Sequence, residues 1–282
     1  VVHMRWRDPI PGSPSSRYDA WMSFGGTTER SAAAEVSFDA FGGAMLGSVH
    51  ARTAGDAQDG AGETIENSQY RDRGALLRFV RDASWGRFRA GLMTSIARDA
   101  GAPSSDAGRT FYPDERATLA TFAADLQSPG RWTAASVRGS LGSYSLTTSR
   151  ERAGTVESTA VKARDASLRL SGEKAGARSR LAAGVDFVSR FDLRASGSID
   201  DASRTDLGAY ASWEGRVAPS LQFAFGGSGD RVDARNRGGH FGDRSTGDFA
   251  LSGHAAATAG LLRGVTATLQ IASGFREPML SD

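Results

Sequence analysis

The chain has 282 residues, of which 39% are hydrophobic and 35 are glycine, and it carries a formal net charge of +2 and no cysteine. The lack of cysteine excludes a disulfide scaffold, thiol catalysis and cysteine-ligated metal. The 34 basic and 32 acidic residues nearly balance and form no basic cluster, so we expect no binding of nucleic acid.

The first predicted elements are a short strand at residues 1–7 and a loop at residues 8–16 that contains three prolines. No window approaches about 18 uninterrupted apolar residues, and residues 1–5 lack the apolar core of a signal peptide, so the sequence predicts neither a transmembrane helix nor a leader. From residue 18 the chain alternates with a period of two, which is typical of β-strands. Tyr18, Ala20, Met22 and Phe24 share one face of this first strand.

The remaining chain is predicted to form consecutive β-hairpins with short turns inside each pair and polar connections between pairs. The predicted pairs are 34–41 with 45–53 around Gly42-Gly43, 70–81 with 87–98, 115–127 with 132–150, 163–173 with 178–194, 205–215 with 220–233, and 247–257 with 265–273. The longer polar segments predicted as loops are 54–67, 99–113, 195–204 and 234–244.

One face of these strands is apolar and the other is polar. In residues 87–98 we assign Phe88, Ala90, Leu92, Thr94 and Ile96 to one face, and Arg87, Arg89 and Arg98 to the other. Further apolar rows are Leu181, Ala183, Val185 and Phe187; Leu207, Ala209, Ala211 and Trp213; and Leu221, Phe223 and Phe225.

Long strands, alternating short and long connections, and one apolar face together predict an all-β fold: an antiparallel transmembrane β-barrel with short periplasmic turns and long extracellular loops. A bilayer requires about 9–11 residues per tilted strand, and a closed barrel leaves no unpaired backbone amide facing lipid. Trp85, Trp132 and Trp213, near strand ends, suit an interfacial aromatic girdle.

The sequence offers few residues for chemistry. None of the four histidines forms a metal-ligand pair at short spacing, and no catalytic constellation stands out, so we expect no enzyme and no cofactor. The loop that carries Arg237, His240 and Phe241 is a candidate ligand-binding site, for example for a metal chelate. The alternative is an ordinary solvated loop.

The closing segment carries the clearest family resemblance. Residues 273–282 resemble the G-[FY]-[RK]-x-P-[ST]-L-x-[ED]-L-Y segment of the TonB-dependent outer-membrane receptors. Gly274, Phe275, Arg276 and Pro278 match this motif, as do Leu280 and Asp282, whereas Met279 replaces the usual Ser or Thr and the Leu-Tyr continuation is missing. Residues 1–7 resemble the strand that ends the plug of these receptors, with His3 where Asn is usual.

The resemblance implies a fragment of a 22-stranded barrel, with about 11–14 of its strands. Residues 1–16 would be the last plug strand and a linker, and residues 17–282 part of the barrel. The implied function is uptake of a ferric siderophore, cobalamin or haem across the bacterial outer membrane. The implied partners are the lipid bilayer, the small ligand, and the TonB complex, which would act through a plug that this sequence lacks.

Three alternatives to a receptor barrel remain open at the level of sequence. An outer-membrane hydrolase barrel of about ten to twelve strands could close within this length. A porin-like channel would also alternate, but would lack the Gly-Phe-Arg-x-Pro segment. A soluble β-sandwich would show turn signals every 8–12 residues, roughly, which is closer than the spacing here.

Overall fold

Alternating side chains and tight turns fold the chain into a long antiparallel meander. The computed structural model describes residues 7–23, 28–103, 108–262 and 264–274. None of these residues forms a helix that is long and apolar enough to cross a membrane. The strands are β1 (Ser15–Ser23), β2 (Glu29–Ala40), β3 (Gly43–Ala54), β4 (Ala57–Gln58), β5 (Thr64–Ile65), β6 (Tyr70–Ala83), β7 (Gly86–Ala102), β8 (Gly108–Gln127), β9 (Ala134–Arg152), β10 (Thr155–Ala175), β11 (Ser179–Ala195), β12 (Ile199–Ala218), β13 (Leu221–Arg237), β14 (Arg244–Leu262) and β15 (Val265–Ser273).

Thirteen of these strands form one antiparallel sheet whose order follows the chain. The two others, β4 and β5, pair with each other in the connection between β3 and β6. Within the described residues, β1 and β15 lie at opposite ends of the sheet and do not pair, so the barrel is open. The predicted all-β antiparallel architecture is confirmed, and its strand number lies within the predicted range.

Two tight turns have the geometry that hairpins prefer. Phe41 and Gly42 connect β2 to β3 with φ of 54° and 71°, and Ala153 and Gly154 connect β9 to β10 with φ of 50° and 77°. Positive φ at both central residues matches the right-handed twist of paired strands. The predicted turn around Gly42-Gly43 is therefore confirmed, with Gly43 already in β3.

Cross-strand register separates an apolar face from a polar face. Residues directly opposite each other in an antiparallel pair point to the same side of the sheet. One such row joins Phe38, Met45, Phe79, Ala90 and Phe122 across five strands. The side chains of Phe38 and Phe122 are 44% and 42% exposed, so this apolar row is not covered by another described part of the chain. We call this side the outer face and the opposite side the inner face.

The inner face carries most of the charged and hydroxyl side chains, including those of Arg89, Asp125, Asp186 and Ser140. The predicted division of β11 and β12 into apolar and polar rows is confirmed by their register, in which Leu181 lies opposite Trp213 and Phe187 lies opposite Leu207. One assignment was wrong. Arg98 lies opposite Arg71, on the side that carries Ile96, because it is an even number of residues away from it.

Several segments that the sequence predicted as long loops are mostly strand. Residues 99–102 and 108–113 belong to β7 and β8, most of 195–204 belongs to β12, and β10 already begins at Thr155. Of the segment 234–244, residues 234–237 extend β13 and residues 238–243 form the predicted connection to β14. Their backbones continue to pair although their side chains no longer alternate in hydrophobicity. Beyond an apolar band both faces can meet water, so the sequence pattern that marks a strand disappears while the hydrogen-bonded ladder persists.

The three tryptophans lie toward the short-turn end of the sheet. Trp85 is in the turn between β6 and β7 and is 46% exposed, and Trp132 precedes β9. Trp213 stacks on Phe225 with ring centroids 5.0 Å apart. The interfacial girdle itself stays a prediction. Residues 1–6, which hold most of the predicted plug strand, lie outside the described residues.

Candidate functional site

The segment at residues 7–14 lies against the inner face, close to the short-turn end. The Asp8 carboxylate accepts a hydrogen bond from Arg78 and lies 3.9 Å from an Arg87 nitrogen. The Gly12 amide donates to Asp39 at 2.9 Å, and Arg7 pairs with Glu35 at 3.0 Å. These contacts attach the segment to β2, β6 and β7 before the chain turns into β1.

Ion pairs connect neighbouring strands along the inner face. Asp125 on β8 pairs with Arg89 on β7 and lies 3.6 Å from Arg138 on β9. Similar pairs join Arg190 to Asp165 at 2.7 Å and Arg180 to Glu173 at 2.6 Å, and also Arg169 to Asp186. Each half-exposed pair contributes at most about 1 kcal/mol to stability. The main effect of these ion pairs is therefore to give the inner face a charged lining, and their contribution to stability is small.

Hydroxyl pairs and carboxylates complete this lining. Ser136 bonds Ser171 and Ser140 bonds Ser167, each at 2.7 Å, between β9 and β10. A cavity of about 290 Å³ opens between β11 and β14 and is lined by Asp186, Asp206, Asp230 and Asp248 among others. In the described part of the chain, no three His, Cys, Asp or Glu side chains are arranged to hold a metal ion.

A second group of charged residues lies at the long-segment end, which we call the rim. Arg52 donates to Asp72 at 2.7 Å, and its guanidinium lies 4.7 Å from the centre of the Tyr70 ring. Tyr70 donates from its hydroxyl to Glu29 at 2.7 Å. Sequence inspection missed this cluster because its members come from three strands.

The predicted ligand-binding residues lie at the tip of the β13–β14 hairpin, also at the rim. His240 and Phe241 are exposed and form an edge-to-face pair with ring centroids 5.4 Å apart. The His240 amide donates to the Ser198 carbonyl at 3.0 Å, and the Gly239 amide donates to Asp200 at 2.9 Å. These bonds hold the hairpin tip against the β11–β12 connection.

Arg237 ends β13, opposite Asp201 of β12, and is exposed. The structure therefore places Arg237, His240 and Phe241 on one hairpin. Arg237 is the last residue of β13, and His240 and Phe241 lie in the connection to β14. Their role in ligand binding stays a prediction. Of the family motif, Gly274 follows β15, whereas Phe275, Arg276 and Pro278 lie outside the described residues.

The fold is similar to those of known transporters. No protein-family model and no curated protein matches the sequence. Among solved structures, the copper transporter OprC aligns with a TM-score of 0.71 at 13% identity, over 97% of this chain and 48% of that one. The FrpB iron transporter from Neisseria meningitidis (F5-1 variant) aligns with a TM-score of 0.68 at 10% identity, over 90% and 46%.

The siderophore receptor PiuA from Acinetobacter baumannii aligns with a TM-score of 0.57 at 8% identity, over 90% of this chain and 48% of that one. The chain thus spans about half the length of the solved structures that it matches. At these identities the likeness establishes the fold. The described chain has the fold of a partial barrel of the TonB-dependent receptors, the family that its sequence resembles.

Proposed function

We propose that this chain forms part of the barrel wall of a TonB-dependent transporter in the bacterial outer membrane, which takes up a scarce metal or metal chelate. The observation that carries the proposal is the structural match of this two-faced sheet to a copper transporter, over 97% of this chain and 48% of that one. Similar structures named as an iron transporter and a siderophore receptor support the same class of substrate. A ferric siderophore, cobalamin or haem would fit this class.

The outer face supports a position in the bilayer. Large apolar side chains that would be buried in a soluble protein are exposed there, such as Leu92 at 48%, Leu207 at 48% and Phe225 at 54%. Exposed apolar area on this scale is rare on soluble monomers and marks a surface in contact with lipid or protein. From β6 onward each strand of the large sheet except β15 has 14 residues or more. That exceeds the roughly 9–11 residues needed to cross the apolar core.

The inner face supports a role in passing a polar solute around a plug. Its lining of ion pairs and hydroxyl groups can exchange hydrogen bonds with water, substrate or a folded plug. The segment at residues 7–14, attached through Asp8 and Gly12, would be the linker between plug and barrel. Energy from the TonB complex would reach the ligand through that plug.

We further propose that Arg237, His240 and Phe241 contact the ligand as it arrives from outside. A guanidinium and an imidazole can bind the oxygen atoms of an anionic chelate, and an exposed aromatic ring can pack on its organic part. The backbone bonds of the hairpin tip to Ser198 and Asp200 would keep these side chains in place.

The alternatives from sequence fit less well. A hydrolase barrel complete within this length would pair its first and last strands, whereas β1 and β15 lie at opposite ends of the sheet. The solved structures that match are transporters and receptors. A porin-like channel would let solutes diffuse through without an energy source, whereas the transporter proposed here requires one.

Uptake in energised and de-energised cells tests the proposal. A strain without the gene should grow poorly when copper or iron is chelated, and the gene with its native flanking sequence should restore both growth and uptake of labelled metal or ferric siderophore. A protonophore, or deletion of the tonB gene, should abolish that uptake. Uptake that persists without an energy source would contradict the proposal and favour a channel.

The hairpin tip is tested in the same assay. Replacing Arg237 and His240 by Ala should raise the substrate concentration for half-maximal uptake, with an unchanged amount of protein in the membrane. Arg244→Ala, an exposed arginine at the start of β14, is the matched control. An equal effect of both changes would contradict a ligand contact at the tip.

A further inference from the structure

Four arginines lie near the rim on the outer face of β2, β6 and β7, where apolar side chains would be expected. Arg30 of β2 and Arg71 of β6 both lie opposite Thr53 of β3, and Arg98 of β7 lies opposite Arg71. Arg73 of β6 lies opposite Ala51 and Ile96. All four are exposed and near the rim. The row forms a band of positive charge directly above the apolar part of the outer face.

These arginines differ from those of the inner face in their partners. On the inner face most arginines have a carboxylate at hydrogen-bonding distance, as in the pair of Arg190 with Asp165. On the outer face Arg98 lies 3.8 Å from Asp114. Across the ranges that the structure describes, no carboxylate lies within ion-pair distance of Arg30, Arg71 or Arg73. Unpaired guanidinium groups that lie close together favour the binding of an anion, and the planar fork of N–H donors on each group matches the oxygen atoms of a phosphate.

An apolar groove starts at the same arginines. A cavity of about 760 Å³ is lined by all four of them, together with the apolar side chains of Met22 and Ile96 and several alanines. Two further cavities, of about 500 and 280 Å³, continue it along β2, β3, β6 and β7. Consecutive cavities share lining residues: Ala32, Ala51, Arg73 and Ile96 between the first two, and Ala34, Val49, Ala75 and Thr94 between the last two.

Small residues create this groove. Ala32, Ala34 and Ala51 take positions where other parts of the outer face carry Leu or Phe, and Gly47 has nothing within 4 Å of where its Cβ would be. From Arg71 to Leu77 the groove follows six residues of β6, which at about 3.3 Å per residue is about 20 Å. Its upper end is cationic and its floor is apolar.

We propose that this groove binds a membrane lipid whose phosphate-bearing headgroup carries a net negative charge, and the inference rests on the membrane placement proposed above. The phosphate would be held by Arg30, Arg71 and Arg73, and an acyl chain would lie on the alanine and glycine floor. A free phosphate would use only the arginines, and a protein partner would have no need of a phosphate site. The combination of an unpaired cationic end with an apolar groove favours the lipid.

Lipid retention by the purified protein tests this. The protein, produced with its native flanking sequence, is extracted in detergent, incubated with lipid A as a bisphosphorylated probe, and examined by native mass spectrometry and ³¹P NMR. Changing Arg30, Arg71 and Arg73 together to Gln should weaken binding by about 100-fold, since each basic residue near the membrane surface contributes roughly a factor of five toward anionic lipid. Arg190→Gln, on the inner face, is the matched control and should bind as the unchanged protein does.

A second variant separates the two halves of the site. Gly47→Leu leaves the arginines in place and fills the groove without a backbone clash. It should weaken lipid A binding and leave the ³¹P response to inorganic phosphate unchanged. Phosphatidylcholine should not compete with lipid A. Equal lipid A binding by the triple Gln variant and Arg190→Gln would overturn the proposal, as would full binding by Gly47→Leu or a copurified protein in place of lipid.

The outcome also distinguishes this inference from the proposed function. A protein that is absent from the outer membrane, judged by fractionation and by the heat-dependent gel mobility of folded barrels, contradicts both. A protein that is inserted and takes up its substrate, but binds lipid A no better than the triple Gln variant does, contradicts only the lipid site.

Discussion

Phe122 offers a direct test of which face of the sheet meets lipid. It lies on β8, opposite Ala90 and Gly139, and its ring covers Gly139 so closely that a Cβ there would lie 2.3 Å from the ring. Thr121, the residue before it, lies opposite Gly91 and Ser140 on the inner face. The two positions share one height in the sheet and differ only in the side to which they point.

The structure sets the expected magnitude. Phe122 is five residues from Gln127, where β8 ends at a short turn. With a rise of about 3.3 Å per residue and a tilt of about 40°, it lies about 13 Å above that turn, near the middle of an apolar band of about 25 Å. An arginine at such a position on the lipid face costs about 2–4 kcal/mol, which is about 30- to 1,000-fold in the unfolding equilibrium.

The assay compares Phe122→Arg with Thr121→Arg in the full-length protein, reconstituted in bilayers and unfolded with guanidinium, with gel mobility as the readout of the folded fraction. Phe122→Arg should lower the unfolding midpoint or prevent membrane assembly, while Thr121→Arg should change the midpoint little. Phe122→Leu should stay near the unchanged protein because it keeps an apolar side chain. If Thr121→Arg is as harmful as Phe122→Arg, or more harmful, the assignment of the faces is wrong.

The remaining predictions concern turns and attachments. Gly86→Ala should lower the free energy of unfolding by about 2 kcal/mol or more, because φ at Gly86 is +141° and the new Cβ would lie 2.0 Å from the Asp125 carbonyl oxygen. Gly47→Ala is the control in the same denaturation assay and should be tolerated, since nothing in the described chain lies within 4 Å of its new Cβ. Asn67→Ala should make the β3–β6 connection more accessible to protease on intact cells. The buried side-chain amide of Asn67 donates to the carbonyls of Ala102 and Thr110, and its φ of +63° is a conformation that Ala adopts less readily. Unchanged cleavage would contradict this. Asp8→Asn should loosen residues 7–14 by removing the negative charge beside Arg78 and Arg87. The Gly12 amide, which donates to Asp39 in the same segment, should then exchange its hydrogen with solvent faster, and an unchanged exchange rate would count against the attachment.

Local patterns in the sequence were enough to predict most of the sheet. The alternation of Leu181, Ala183, Val185 and Phe187 determines one face of β11, because a pleated strand has a side-chain period of two. The Gly42-Gly43 pair predicted a hairpin because glycine accepts positive φ without steric cost. Such signals are short in range, and the folded chain confirms them.

The polar extensions and the sites depended on register. Arg52 and Asp72 are 20 residues apart and become partners only because β3 pairs with β6 in one alignment, which the intervening loop does not reveal. Residues 99–113 were predicted as loop because the apolar period ends there, although the backbone pairs at residues 99–102 and 108–113. Hydrogen bonding in a ladder does not depend on side-chain hydrophobicity, so composition alone cannot mark where it stops.

The sequence by itself determined the all-β class, the short turns, the apolar rows and the resemblance to the TonB-dependent receptors. Only the tertiary structure decided which side each charged residue faces and which partner it meets. Arg98 illustrates the difference: its charge suggested the polar face, but β7 continues without a bulge from Ile96 to Ala102, which keeps Arg98 on the outer face, opposite Arg71. Hydrophobicity is a property of a residue, whereas the face that a residue occupies is set by the geometry of the strand and its neighbours.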